Sequence, residues 1–354
     1  MFLVIAVFVL IFVVIFQIAK ASEYVQVIKG EERARKDHNR INGFFMIGFL
    51  VAGLFGVYYC NQLYYGKTLL PYPSASDHGE KVDQMLWVTL TITGIVFVLT
   101  QILLFWFAYK YQESDKRKVY FFAHDNRLEM IWTVIPAIVL SVLVVIGLRN
   151  WFTFTSEAPK NALQIEVVGK QFNWIYRYPG KDKIFGKKYY KNIDDGNSNP
   201  LGQLWDDKTN YDDVVVTNTM YAIKDKPVHL IISARDVIHD VGLSHFRLKM
   251  DAVPGTPTTL WFTPKYTTKE MKEITGNPNF QYEISCDQMC GNSHYSMKGV
   301  IEVVTQAEYD LWMAQQKPNY YVAFPDKEPV KEPLLADSSA TVKVRNISLK
   351  TGGL

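Results

Sequence analysis

Cys286, Gln288, Cys290, His294 and Met297 fall within twelve residues, in the run Cys-Asp-Gln-Met-Cys-Gly-Asn-Ser-His-Tyr-Ser-Met, and His239 upstream is a further candidate ligand. Two thiolates, imidazole and a thioether are soft donors that select copper among first-row metals, because sulfur is a poor ligand for Mg or Ca. Three cysteines in 354 residues cannot build a disulfide framework, and the close pair reads as ligands rather than as a bridge. If strands flank the loop, the Cys-x3-Cys spacing carries both sulfurs to one end of a β-sandwich, where they could bridge two ions rather than both serve one. A structural zinc site is the competing reading, since it needs only Cys286, Cys290, His294 and one more histidine in a tetrahedron. Met297 favours copper, because zinc has no use for a thioether. His229 and His245 compete with His239 for the upstream position.

The elements that must carry this loop divide the chain in two. Residues 1–19, 43–65, 84–109 and 130–148 are each uncharged and mostly apolar, close to the length of about 17–25 residues needed to cross a hydrocarbon core. Lys20, Lys29, Arg33, Arg35, Lys36 and Arg40 lie between the first two spans, and Lys110, Lys116, Arg117, Lys118 and Arg127 between the last two. Both connections are therefore expected on the cytoplasmic side as loops. The middle connection, with only Lys67 and Lys81, belongs outside, as do both termini and the large C-terminal part. The first span lacks a charged leading region and an Ala-x-Ala site, so it is expected to be retained. Cys60, in the second span, is expected to be a packing residue.

After Arg149 the pattern changes to short β-branched and aromatic runs at 163–168, 171–178, 214–217, 228–234, 245–250, 258–263, 280–285 and 299–304, separated by Gly, Pro, Asn and Asp. An antiparallel sandwich is the natural reading, with its metal loop at one end on a rigid scaffold. Residues 181–202 read as a surface insertion. The tail from Lys317, with Pro318, Pro325, Pro329 and Pro333, could not build a core by itself. No Cys-x-x-Cys-His is present, so the chain carries no c-type haem. The near-neutral net charge of +3 decides nothing, and the sequence shows no nucleic-acid patch. Asp194, Asp195, Asp206, Asp207, Asp212 and Asp213 form an acidic stretch that is either solvated loop or an attractor for a basic partner.

Several motifs together resemble subunit II of haem-copper cytochrome c oxidases. They are Asp236-Val-Ile-His239, Leu248-Lys-Met-Asp251-Ala-Val-Pro-Gly255, the Cys286 to Met297 run, the aromatic stretch Gln171-Phe-Asn-Trp174-Ile-Tyr176-Arg-Tyr178, and Glu129-Met-Ile-Trp132-Thr-Val-Ile-Pro136. The matches run from about Asn126 to Trp312 and leave residues before about 80 and after about 317 uncovered. The resemblance implies an α + β membrane protein, with four transmembrane helices followed by a cupredoxin-like Greek-key β-sandwich that a short helix at 307–316 closes. Its expected parts are an added helix pair at 1–66, a hairpin at 84–150, the copper domain at 151–317 and a tail at 318–354.

The resemblance further implies a dinuclear CuA centre, two coppers bridged by Cys286 and Cys290. His239 and His294 would each cap one copper, and Met297 and the carbonyl of Gln288 would be weak axial ligands. A pair of coppers sharing two thiolates can spread one electron over both metals, which keeps reorganisation small. Electrons would come from a c-type cytochrome, soluble or fixed to a neighbouring complex, through Phe172, Trp174 or Tyr176, against the alternative that Trp174 and Tyr176 are core residues of a strand. They would pass to haem in a catalytic subunit I that reduces O2 to water and pumps protons. Glu129 would stand at the mouth of a proton path, against the alternative of a hydrated carboxylate marking a helix end. The setting implied is a bacterial inner membrane with the copper domain in the periplasm, among other oxidase subunits and lipid. Two departures matter. Gln288 stands where the family has Glu, which puts a Mg site at the boundary with subunit I in doubt, and Phe172 stands where the family has Trp. A copper-free quinol-oxidase subunit and a membrane-anchored Zn- or Cu-binding protein are the competing readings.

Overall fold

Apolar composition and capping together define four long helices. The computed structural model describes residues 2–69, 71–114 and 116–328. In it α1 (Phe2–Lys29), α2 (Glu31–Tyr64), α3 (Asp77–Lys110) and α4 (Asn126–Thr155) are each long and apolar enough to cross a membrane. Ser76 caps α3 by accepting from the Gly79 amide at 3.0 Å, and Asp125 caps α4 by accepting from Arg127 and Leu128. The basic stretch between the first two spans is not the expected loop. Only Gly30, at φ 83, interrupts the helices there. Lys20 pairs with Glu23 at 2.7 Å and Lys36 with Glu32 at 2.6 Å, the helical spacings that let opposite charges support a solvated helix. Cys60 is exposed on α2 rather than packed within the chain.

The polar half is two five-stranded sheets. In chain order the elements are β1 (Leu163–Lys170), β2 (Asn173–Tyr178), β3 (Val214–Thr217), β4 (Thr219–Ile223), β5 (Val228–Ala234), β6 (His239–Leu243), β7 (Leu248–Ala252), β8 (Thr258–Phe262), α5 (Thr268–Thr275), β9 (Tyr282–Cys286), β10 (Lys298–Val304), α6 (Gln306–Gln315) and α7 (Asn319–Ala323). One sheet runs β3-β2-β1-β5-β8 and the other β4-β10-β9-β6-β7. β1 with β2, β5 with β8, β6 with β7, β6 with β9 and β9 with β10 pair antiparallel, as the sandwich reading expects, while β1 with β5 and β10 with β4 pair parallel. Between the sheets lie the fully buried Ile165, Val167, Trp174, Tyr176, Leu230, Ile232, Val241, Tyr282 and Ile301. β4 and β6 were not expected as strands. β6, His-Asp-Val-Gly-Leu, is buried throughout, and its Asp and Gly break the alternation that identifies a half-exposed strand. The strand expected at 245–250 starts late: Ser244–Phe246 is a 3-10 turn, Arg247 takes a left-handed conformation at φ 59, and pairing begins at Leu248.

Arg247 fastens this domain to the start of α3. Its guanidinium donates to Asp83 at 2.8 Å and to the carbonyls of Leu69 and Tyr72, both at 3.0 Å. Lys265 pairs with Glu80, and the Ser76 hydroxyl donates to the Phe246 carbonyl at 2.7 Å.

Pro179–Val214 and the segment from Lys317 form a second compact unit. The segment expected as a surface insertion at 181–202 thus belongs to a unit with its own interior. Gln203 donates from its backbone to Asn199 at 2.7 Å and from its side chain to Asn210 at 3.1 Å, and Asn319 donates to Gln203 at 2.7 Å. Tyr211 stacks on Tyr320 at 3.9 Å. Amides satisfying one another hold this unit, a device invisible to apolar patterning. The remainder of the expected tail, 329–354, lies outside the described residues.

Candidate metal centre

β6 begins with His239 and β9 ends with Cys286, and the two strands are paired side by side through Val241 and Cys286. That pairing brings the upstream histidine to the first cysteine. The loop after Cys286 then returns into β10, with the Cys286 amide donating to the Met297 carbonyl at 3.1 Å and the Asp287 amide to the Asp240 carbonyl at 3.2 Å. The side chain of Gln171, just ahead of β2, donates to the Cys290 carbonyl at 2.5 Å. Gly291 is required here. Its φ is 138, and a Cβ would lie 2.9 Å from both the Gln171 amide nitrogen and the Phe172 ring.

Inside this frame the two sulfurs are 3.7 Å apart and unbonded. Cys286 Sγ lies 3.7 Å from His239 Nδ1 and 3.2 Å from the Gln288 carbonyl oxygen. Cys290 Sγ lies 3.7 Å from His294 Nδ1 and 3.9 Å from Met297 Sδ. The ligand atoms of His239, Cys286 and Cys290 are within 4.8 Å of one another. All three residues and Met297 are buried, whereas the Gln288 side chain is exposed and His294 is half-buried. Burial, then the hydrogen bond and charge of Cys286, push the Cys290 thiol up to about 11. Two adjacent thiolates are untenable in that setting without a cation, so the donor set fits a metal that displaces the protons.

The carboxylate of Asp236 sits 2.8 Å from His239 Nε2. An anion there holds the far-side proton on Nε2 and leaves Nδ1 free to face Cys286. Burial opposes the charge on Asp236, but the Gln171 amide, the His239 ring and the Val237 amide outweigh it and hold the carboxyl below its usual range. Gly169 makes room for the ring, since a Cβ there would lie 2.7 Å from His239 Cδ2. Neither sequence competitor joins the group: His229 lies on β5, and His245 packs edge-on against Phe280 and Tyr282.

The aromatic candidates separate. Phe172 is half-buried beside the loop, but Trp174 and Tyr176 are fully buried. Trp174 packs edge-on to the His239 ring, 6.0 Å between centroids. Neither is a surface contact: both face inward on a strand whose inner face is core, the alternative weighed for them in the sequence. Sequence reasoning missed Met289 and Tyr295, 73% and 84% exposed between the ligands, and Val237 and Ile238 beside His239. The available signal was large apolar side chains in a loop with no core to enter. Glu129 is not brought to this site. It lies in the first turn of α4, with Oε1 3.8 Å from His124 Nδ1, and roughly 40 Å of helix separates it from the β domain.

The sequence pattern of the cytochrome c oxidase subunit II transmembrane domain matches residues 68–149, and that of the periplasmic domain of the same subunit matches 163–304. The alternative cytochrome c oxidase subunit 2 of Bradyrhizobium diazoefficiens is 30% identical over 69% of this chain and 83% of its own. The chain belongs to the cytochrome c oxidase subunit II family. A probable cytochrome c oxidase subunit 2 of Rickettsia bellii is also 30% identical, over 69% of this chain and 82% of its own. The crystal structure of the periplasmic domain of cytochrome oxidase subunit II from Bradyrhizobium japonicum aligns with 45% of this chain and 95% of its own, at 22% identity and a TM-score of 0.31. As an oxidase subunit II, the chain has its transmembrane part in α3 and α4 and its cupredoxin-like part in the paired sheets. The transmembrane match starts at 68, earlier than the motifs alone reach, and leaves α1 and the whole of α2 outside the matched region.

Proposed function

We propose that this chain takes up electrons for a haem-copper terminal oxidase, through a dinuclear copper centre held by His239, Cys286, the Gln288 carbonyl, Cys290, His294 and Met297. The observation that carries this reading is the division of donors between two sulfurs. Each sulfur has its own imidazole at 3.7 Å, with the Gln288 carbonyl beside Cys286 and Met297 beside Cys290. A lone tetrahedral zinc needs four donors and no thioether, and a copper-free relative has no use for any of them. When bound, the copper pair would supply a one-electron carrier between a c-type cytochrome and the haem of a catalytic subunit.

The chain's own residues do the rest. Asp236 and Gly169 orient His239, and Gln171 and Gly291 fix the loop carbonyl at Cys290. Trp174 and Met297 keep water from the buried side. Met289, Tyr295, Val237, Ile238 and Phe172 give an apolar face around the ligands, suited to a cytochrome's haem edge, with electrostatic steering left to more distant charges. Gln288 offers no carboxylate, so no Mg is assigned to it. Glu129 is the proposed proton-uptake residue, at the end of α4 remote from the copper ligands. The Lys and Arg distribution supports that end as cytoplasmic and the copper domain as periplasmic.

The test is His294→Ala in the assembled oxidase, assayed by oxidation of reduced cytochrome c. Turnover should fall by at least about 100-fold, the upper range for losses at positions that merely support a ligand, with the other subunits still present. Unchanged turnover would contradict electron uptake here.

A further inference from the structure

A cleft of about 400 Å³ lies between α3 and α4 at the end nearest the β domain. Lys81, Gln84, Met85 and Val88 line it from α3 at helical spacings that share one face, and Leu143, Ile146, Arg149, Asn150 and Thr153 line it from α4. The lining is graded. Lys81, Arg149 and the polar side chains are at the mouth, and Met85, Val88, Leu143 and Ile146 run inward for about 10 Å at 1.5 Å per residue. The two helices approach closely beside the cleft, where a Cβ on Gly147 would lie 3.0 Å from Met85 Cε.

The two cations at the mouth are not neutralised. Among the described residues neither Lys81 nor Arg149 makes an ion pair. Of the α3 carboxylates near Lys81, Glu80 is used by Lys265 and Asp83 by Arg247, and Asp77, one turn ahead of Lys81, makes no ion pair with it. Glu80 and Asp83 lie about 100° or more round the helix from Lys81. Lys81 stands three residues ahead of the long apolar run and Arg149 directly after one, the depth at which long basic side chains reach the headgroup layer. We infer that this cleft is a binding site for one anionic phospholipid, its phosphate between Lys81 and Arg149 with help from Gln84 and Asn150, and the first part of an acyl chain along Met85, Val88, Leu143 and Ile146. Charge complementarity over an apolar slot selects a lipid. An apolar helix of a partner protein would leave both cations unpaired, and free phosphate would leave the apolar part unused.

The experiment uses the complete oxidase reconstituted in phosphatidylcholine vesicles that contain a minor fraction of photoactivatable phosphatidylglycerol or, separately, photoactivatable phosphatidylcholine. After irradiation, adducts are mapped by mass spectrometry. Phosphatidylglycerol should label 81–88 and 143–153 in preference to phosphatidylcholine, by roughly 25-fold if each cation contributes about fivefold. Lys81→Gln/Arg149→Gln should abolish the preference, and Val88→Trp, which fills the slot and keeps both charges, should abolish the labelling. Excess inorganic phosphate should not compete. Equal labelling by the two lipids, an unaffected double variant, or no labels because a partner subunit covers the cleft would each overturn the assignment. Cytochrome oxidation at the copper site is read separately and does not decide it.

Discussion

A single hydrogen bond sets which nitrogen of His239 faces the thiolates. The Asp236 carboxylate, 2.8 Å from Nε2, also accepts from the Gln171 and Val237 amides at 2.8 Å each, so it ties the ligand to the segment that clamps Cys290. Asp236→Ala should therefore weaken copper retention by about 10–100-fold, the usual effect of losing a group that orients a metal-bound imidazole. Asp236→Asn, which keeps an acceptor but not the charge, should fall between. Copper remaining after graded chelator challenge measures both, and retention in the alanine variant equal to the parent would remove Asp236 from the account. The ligand loop itself was legible in the sequence because softness and spacing are properties of residue types. Residue types alone left His229 and His245 competing with His239, and the Asp236-Val-Ile-His239 motif singled it out; the pairing of β6 with β9 gives the physical reason, which was not legible because β6 does not look like a strand.

At the scale of elements, what sequence patterns reveal is what alternation and hydropathy encode. The four apolar helices and most strands follow from them. The helical turn through Gly30, the buried β6 and the amide-held unit at 179–214 do not, because charge pairs, two-sided burial and polar networks leave no periodic apolar trace. One buried element carries a pH dependence. His245 packs between the turn ahead of β7 and the aromatic side chains of Phe280 and Tyr282, and its pKa is lowered by burial first and by the Arg247 charge second. His229 is lowered by burial as well. A histidine depressed in the folded state is protonated at higher pH in the unfolded chain, so below about pH 6.5 unfolding takes up protons and stability falls as pH falls. The histidine contribution to the unfolding midpoint of the full chain in detergent should therefore drop between about pH 7.5 and 5.5, opposed by Asp240, whose carboxyl is pushed by burial up to about 6 and which stabilises the fold as pH falls. His245→Phe, which keeps the ring contacts without a titrating group, should flatten the slope. An identical slope in that variant would contradict the assignment.

For the whole molecule, an apolar hairpin and a two-sheet domain are fastened at the start of α3 by Arg247, Lys265 and Ser76. The copper loop lies at strand ends, and the Glu129 end of α4 is remote from it, which is the separation required if electrons and protons come from opposite sides of a membrane. The whole account depends on two metal ions sharing Cys286 and Cys290. The most direct measurement is copper content together with electron paramagnetic resonance of the purified, oxidised complex, with Met297 and both histidines intact. Two coppers bound in this chain, and one unpaired electron showing equal hyperfine coupling to both, are the predicted result. One zinc, or a single isolated copper, or a Cys286–Cys290 disulfide would contradict it.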